Sequence, residues 1–256
     1  MESYKDIALS LARQAGEVMR SNFKGGMTKD WKKDGTPLTI FDTGINNLVL
    51  ETISNAIPGH SILGEEGSRL QDSDYVWVLD PIDGTIPFSH GMPLFVFSLA
   101  LTYKGNSILG VIYDPILDRL LYAEKGKGAF LNESPMHVSN RDTVQQTLIE
   151  VQSWQNYEHN LNPLKDKLIQ KGAQVTTICT VIYAAMLVAS GEYGGVLFSG
   201  TKPWDAAAVK IIVEEAGGKV TDLRGHEQRY DQQINGLVVS NGMLHDQFLQ
   251  LIDSVM

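Results

Sequence analysis

One cysteine, Cys179, stands alone among 256 residues, so no internal disulfide framework is available and a reducing compartment is expected. No run of 18 uncharged apolar residues occurs, so no segment reads as a membrane span. Met1–Arg20 carries Glu2, Lys5, Asp6, Arg13 and Glu17, which excludes both a signal-peptide core and an acid-poor transit pattern; the expectation is a cytoplasmic protein. Bases are outnumbered, 21 Lys and Arg against 30 Asp and Glu, for a net charge of −9. That balance argues against nucleic acid and against anionic membrane as partners. Repeats, low-complexity tracts, a G-x-x-x-x-G-K-[ST] loop and a Gly-x-Ser-x-Gly elbow are all missing, so P-loop and serine-hydrolase chemistry find no support. An EF-hand starting at Asp80 fails too, because its twelfth position is Gly91.

What remains is a composition that folds. Hydrophobic residues make up 43% and charged residues 20%, and a chain of this length buries about three-quarters of its surface without staples. Residues 3–22 place Tyr4, Ile7, Leu11, Ala15 and Val18 at helical spacing, with Ser3 and Asp6 as a capping pair. A Gly- and Lys-rich loop, 24–36, leads to Pro37-Leu38-Thr39-Ile40-Phe41-Asp42 and a second helical pattern closed by Pro58-Gly59. Ser61–Gly64 and Tyr75–Leu79 read as buried strands, and strands from Leu94 to Leu131 read as an antiparallel meander. After about residue 142 strands and helices alternate. The expected fold class is α/β, an α+β half over 1–141 and an α/β half over 142–256 with a cleft between them.

Acids cluster just past the apolar runs. Asp80-Pro81-Ile82-Asp83-Gly84-Thr85 follows one buried strand, Glu65-Glu66 follows another, and Asp205 lies in Lys202-Pro203-Trp204-Asp205 at an expected helix start with Pro203 near the first position. Any one of these acids alone reads as a cap or turn residue. Together they are harder to dismiss, since between Arg69 and Arg119 the only base is Lys104 and no sequence-local cation neutralises them. Converging carboxylates need a counter-charge, and oxygen-only donors favour a hard cation such as Mg²⁺. An aspartyl-phosphate mechanism would suit D-x-D better than the two-residue gap between Asp80 and Asp83.

Trp77-Val78-Leu79-Asp80-Pro81-Ile82-Asp83-Gly84-Thr85, the upstream Gly64-Glu65-Glu66, and the downstream Trp204-Asp205-Ala206-Ala207-Ala208 with Glu215-Ala216-Gly217-Gly218 resemble the inositol monophosphatase family in order and spacing. The resemblance implies a layered αβαβα sandwich, commonly a homodimer. It also implies a lithium-sensitive phosphomonoesterase with two or three Mg²⁺ per site, acting on a small phosphorylated substrate. By the same resemblance Glu65, Asp80, Asp83 and Asp205 would be metal ligands through their side chains and Ile82 through its carbonyl, with Asp80 bridging two ions. The 1–141 half would then carry most ligands and the 142–256 half would complete the site with Asp205. The resemblance also implies that Asp42, Thr85 and Glu65 would take the catalytic roles, Asp42 and Thr85 orienting the attacking water. Gly84 and Thr85 would hold the phosphate through their amides, with Asp205, Thr180 and Phe198 as further substrate contacts.

This chain departs from the family at the pocket wall. Cys179-Thr180-Val181-Ile182 stands where relatives often have Gly-Ser-Ala-Ala, Phe198 where inositol-type members tend to have Glu, and Ile86-Pro87 where Thr-Asn is usual. Inositol monophosphate, histidinol phosphate, fructose 1,6-bisphosphate and a 3′-phosphonucleotide all stay open as substrates. A non-catalytic regulatory protein keeping the fold is the rival reading. His90 reads as a structural histidine beside the site rather than a general acid. Lys33 reads either as part of a metal-responsive loop or as a solvated charge. Trp77, Trp204, Phe95 and Phe97 read as packing, and Cys179 has no nucleophile pattern.

Overall fold

The computed structural model describes residues 3–32, 35, 37–154 and 157–256. Its first helix, α1 (Tyr4–Asn22), starts at the anticipated cap: the Ser3 hydroxyl accepts from the Asp6 amide at 3.2 Å, and the Asp6 carboxylate accepts from Ser3 in return. Within and just after the Gly- and Lys-rich stretch, β1 (Asp30–Trp31) and β2 (Pro37–Leu38) pair as a short antiparallel hairpin. α2 (Ile40–Ala56) follows. Then β3 (Ser61–Gly64) and β4 (Tyr75–Asp83) lie parallel, and a five-residue helix, α3 (Thr85–Ser89), precedes the meander of β5 (Val96–Tyr103), β6 (Asn106–Asp114), β7 (Arg119–Glu124), β8 (Ala129–Leu131) and β9 (Ser134–Pro135).

Beyond the 136–147 connector come β10 (Leu148–Gln152), α4 (Pro163–Gln170), β11 (Gln174–Thr176), α5 (Val181–Ala189), β12 (Gly195–Phe198), α6 (Ala207–Glu215), β13 (Lys219–Thr221), β14 (Leu237–Ser240) and α7 (His245–Asp253). The first sheet runs β3 to β9 in sequence order; the second is ordered β11-β10-β12-β14-β13. β10, β11, β12 and β13 share one direction and β14 alone runs against them, pairing antiparallel with β12 and β13, so the second sheet is mixed.

Side-chain alternation on the strands decides the layering. Trp77 and Leu79 of β4 face α1 and α2, whereas Val76 and Val78 face a middle layer made of α5 and α6. Val196 and Phe198 of β12 meet that middle layer from the other side, and Ile149, Val151 and Leu197 turn outward to α4 and α7. Helices, sheet, helices, sheet, helices: five layers with three cores, an αβαβα sandwich. The central layer sits close because its residues are small. Ala206, Ala207 and Ala208 are buried at the start of α6, and a Cβ on Gly110 of β6 would lie 2.5 Å from Ile211 and 3.1 Å from the Ala208 carbonyl. Among the described residues no helix is long and apolar enough to cross a membrane.

Candidate active site

Asp80 shares the parity of Val76 and Val78, so it points into the space between the two sheets, toward the chain that enters α6. Pro81 and Ile82 form a bulge: Asp80 pairs with Ser98 and Asp83 with Val96, two residues standing between on one strand and one on the other. Proline is tolerated in the strand there because the bulge frees it from the ladder. The Asp80 carboxylate is buried and accepts from the Ile82 amide at 3.1 Å. Gly84 then turns the chain at φ +91°, where a Cβ would lie 2.5 Å from the Leu94 carbonyl oxygen, so only glycine fits.

Asp83 reaches the middle layer. Its Oδ2 accepts from the Ile182 and Tyr183 amides at 2.9 and 3.1 Å and, at short range, from the Thr180 hydroxyl. It thereby caps α5, whose own N-cap residue, Thr180, makes no capping bond. Burial is the largest influence on Asp83 and lifts its pKa to about 6 against those three donors. Asp80 is raised well above the ordinary value, first by burial and then by Glu65, Asp83 and Asp205. Asp205 is raised likewise, by burial, Glu65 and Asp83, with Lys202 and Lys32 opposing. Asp205 is partly exposed as a residue. The expected single helix from Trp204 is broken there: Pro203–Asp205 forms a 3₁₀ turn, Ala206 bends away at φ −127°, and α6 starts at Ala207.

Asp42 arrives from α2. It forms a capping box with Thr39, accepting from that residue's amide at 2.8 Å and its hydroxyl at 2.5 Å. Its second oxygen lies 3.1 Å from the Thr85 hydroxyl, which is also 3.0 Å from the Ile82 carbonyl. Burial raises the Asp42 pKa despite the bonds from Thr39.

No sequence-local base meets the acids, but a lysine distant in sequence reaches two of them. Lys32, at the β1–β2 hairpin, bonds Glu65 Oε1 at 2.7 Å and Glu66 Oε1 at short range. Burial lowers its pKa most, but Glu65 and Glu66 together outweigh burial and raise it. Glu66 is lifted to about 7 by burial and by Glu65, against Lys32. The dense Lys29–Lys33 cluster was the available signal, and only the hairpin shows which lysine turns inward. Lys33 itself lies outside the described residues.

The remaining candidates scatter. His90 is exposed, its Nδ1 2.8 Å from the Ile86 carbonyl and its Nε2 2.9 Å from Lys29; it ends α3. Phe198 is 2% exposed and packs edge-on against Tyr157 at 5.8 Å, inside the middle core rather than on an open surface. Trp77 is fully buried, its indole donating to His60 at 3.2 Å. Trp204 is half-buried beside a cavity of about 290 Å³, with the Lys202 ammonium 5.5 Å from its ring. Cys179 is half-buried with φ +60°, and burial raises its thiol, the opposite of what a nucleophile needs.

Among the described residues no three His, Cys, Asp or Glu side chains already close on one point as a preformed metal cluster: Glu65 is turned to Lys32 and Asp83 to the α5 amides. The donor set nonetheless fits a hard cation. Every donor is oxygen, and among the described residues no base contacts Asp80 or Asp205, so burial and the neighbouring acids oppose their ionised forms and a cation would relieve both.

The sequence model of the inositol monophosphatase family matches residues 1–256. The chain belongs to that family. Members are phosphatases that generally depend on a metal ion. A fructose-1,6-bisphosphatase/inositol-1-monophosphatase of Thermotoga maritima is 31% identical over 252 residues, covering 98% of this chain and 96% of the relative. A histidinol-phosphatase of Chlorobaculum parvum is 35% identical over 243 residues, 93% and 92% of the two chains. The solved inositol monophosphatase of Anabaena superposes with a TM-score of 0.86 at 30% identity, covering 99% of this chain and 96% of that one. Membership in the inositol monophosphatase family therefore leaves the substrate open, because the relatives carry different substrate names.

The raised acids make the metal-free family fold pH-sensitive. Asp83 and Glu66 hold protons in the folded state up to about 6 and about 7, against ordinary values of 3.8 and 4.5. The folded chain binds more protons across that window, so its stability falls as pH rises through it. His245 acts oppositely: fully buried between Thr221 and Ser240, it is pushed down to about 4 by burial, and stability is lost as pH falls from 6.5. Above pH 6.5 the histidine contributes no slope. Urea midpoints in EDTA should therefore decline between pH 6.5 and 8, and Glu66→Gln should flatten that decline; a flat wild-type profile refutes the assignment.

Proposed function

We propose that this protein is a phosphoric monoester hydrolase that uses Mg²⁺ to cleave a small phosphate monoester by direct attack of water, without a covalent intermediate. The observation that carries the reading is the set of carboxylates Asp80 and Asp83, from β4, and Asp205, from the 3₁₀ turn that leads into α6, all raised first by burial and then by neighbouring acids, Glu65 among them. A cluster that costly in the metal-free protein makes sense as a cation site.

Glu65, Asp80, Asp83 and Asp205 would hold two or three Mg²⁺ through their side chains, and Ile82 would contribute its carbonyl. Bound there, Mg²⁺ lowers the pKa of water and neutralises charge on the attacked phosphoryl group and the departing oxygen. The chain supplies orientation. The Thr85 hydroxyl, by donating its one proton to Asp42, keeps a lone pair free to accept from the attacking water. Asp42 is held by its own cap on α2, so the pair is fixed before substrate arrives. The turn at Gly84 brings backbone amides toward the phosphate position, and Thr180 belongs to the wall that faces it, its Cβ 3.2 Å from where a Gly84 Cβ would stand. Lys32 must release Glu65 for that carboxylate to serve as a ligand.

The same reading includes lithium inhibition and a homodimer, the latter checked by light scattering. The first test is phosphate release from inositol monophosphate, histidinol phosphate, fructose 1,6-bisphosphate and a 3′-phosphonucleotide, with Mg²⁺ and with Mg²⁺ plus Li⁺. Mg²⁺-dependent turnover of one of them at least tenfold above the others assigns the substrate. Tight Mg²⁺ binding with no release from any monoester would instead favour the regulatory reading.

A further inference from the structure

Glu150 is a carboxylate in the middle of an interior strand, fully buried and without a basic partner in hydrogen-bond contact among the described residues. It shares its face of β10 with Gln152, opposite to Ile149 and Val151, and so points to the α5–α6 layer. A buried carboxylate costs several kcal/mol unless its oxygens are satisfied. Here both are satisfied by one segment: Oε2 accepts from the Thr176 hydroxyl at 2.6 Å and Oε1 from the Ile178 amide at 2.9 Å. Between them, the Thr177 hydroxyl donates to the Val151 carbonyl at 3.1 Å.

That segment is the bridge between the sheets. β11 stops pairing at Thr176, Cys179 crosses in the left-handed region at φ +60°, and Thr180 docks on Asp83 together with the Ile182 and Tyr183 amides. A left-handed non-glycine residue persists only where its surroundings hold it. Two carboxylates do so, Asp83 from the first sheet and Glu150 from the second. Thr180 stands opposite Gly84, its Cβ 3.2 Å from where a Gly84 Cβ would lie, so the position of the Cys179–Thr180 segment sets the room available to whatever is esterified to the phosphate.

We infer that Glu150 is a positioning residue for substrate recognition, holding Thr176–Thr180 so that the Cys179–Thr180 backbone presents a fixed wall to the alcohol portion of the substrate. The inference rests on the phosphatase reading above. Glu150 touches neither substrate nor ion, so its loss acts on binding: displacing a positioning element by about 1 Å costs up to about a hundredfold. Uniform loss of ground-state and transition-state contacts raises KM and spares kcat.

The test compares wild type, Glu150→Ala, Glu150→Gln and Thr176→Val on the best substrate of the four-monoester panel. Each variant is also followed by Mg²⁺-induced thermal shift and by hydrogen exchange over 174–183. Glu150→Ala should raise KM tenfold or more while kcat stays within threefold and the Mg²⁺ midpoint of the thermal shift is unchanged. Glu150→Gln keeps an acceptor for Ile178 and should return KM to within threefold of wild type; Thr176→Val should fall between. Exchange over 174–183 should quicken in Glu150→Ala and not in Glu150→Gln. If Glu150→Ala does not fold, the Glu150→Gln and Thr176→Val pair decides through the same KM ordering. A kcat loss at constant KM, a Gln variant as impaired as Ala, or unchanged KM in all three overturns the inference while leaving the phosphatase reading intact. Wild type inert on every monoester while binding Mg²⁺ overturns both.

Discussion

Asp80→Asn should abolish Mg²⁺-dependent phosphate release, by on the order of a thousandfold or more, and at the same time make the metal-free protein harder to unfold. The two effects share one cause. Asp80 is buried and faces Glu65, Asp83 and Asp205, so in the absence of a cation its charge is opposed by burial and by three neighbours. Asparagine keeps the oxygen that accepts from the Ile82 amide and removes the charge. Relieving a buried, uncompensated carboxylate is worth about 1–4 kcal/mol, and in a chain of this size each kcal/mol moves the melting temperature by about 2–4 °C. Differential scanning calorimetry in EDTA at pH 8 should show the variant melting higher, and addition of Mg²⁺ should raise wild type far more than the variant. Turnover surviving in Asp80→Asn would remove Asp80 from the site. A lower metal-free melting temperature would show that its carboxylate is satisfied by some group other than a cation.

Gly84→Ala should cost about 3 kcal/mol or more and reduce turnover by at least about a hundredfold. The backbone there is left-handed at φ +91°, and the added Cβ would meet the Leu94 carbonyl oxygen at 2.5 Å and Phe95 Cα and Thr180 Cβ at 3.2 Å. Two of those contacts are backbone and the third belongs to the opposite wall, so relief requires moving the turn that carries Thr85. Gly26→Ala is the matched control. Its φ of +74° carries a similar conformational cost, but nothing stands within 4 Å of the new atom, so about 1 kcal/mol and unchanged turnover are expected. Equal losses in the two variants would mean that backbone strain alone, rather than the approach of Leu94 and Thr180, makes Gly84 necessary.

Legibility from sequence followed the range of the interaction. Asp80 and Asp83 were readable as a strand end and turn because both features lie within nine residues, whereas Asp42 was reached only through the family resemblance, its capping box with Thr39 having gone unread. The Ser3–Asp6 cap, being local, was readable. Lys32 was not, since a lysine in a basic cluster carries no mark of which way it faces until the hairpin pairs Asp30 with Leu38. Phe198 read as pocket wall from its place seven residues before Asp205, yet strand parity puts its ring into the core shared with α5 and α6. Glu150 drew no attention at all: an acid in a short strand looks like surface until both faces of the sheet are seen to be covered.

The amino-acid sequence by itself determined most elements, the family and the acids proposed as cation ligands, because periodicity, caps and the D-P-I-D-G-T turn are properties of neighbouring residues. Only the tertiary structure decided which charges meet. Asp83 capping a helix 97 or more residues away, Lys32 standing against Glu65, and Glu150 fastening the bridge between two sheets are consequences of five layers closing on one another. Electrostatic and hydrogen-bond energies depend on distance in space and on burial, and neither quantity is written along the chain.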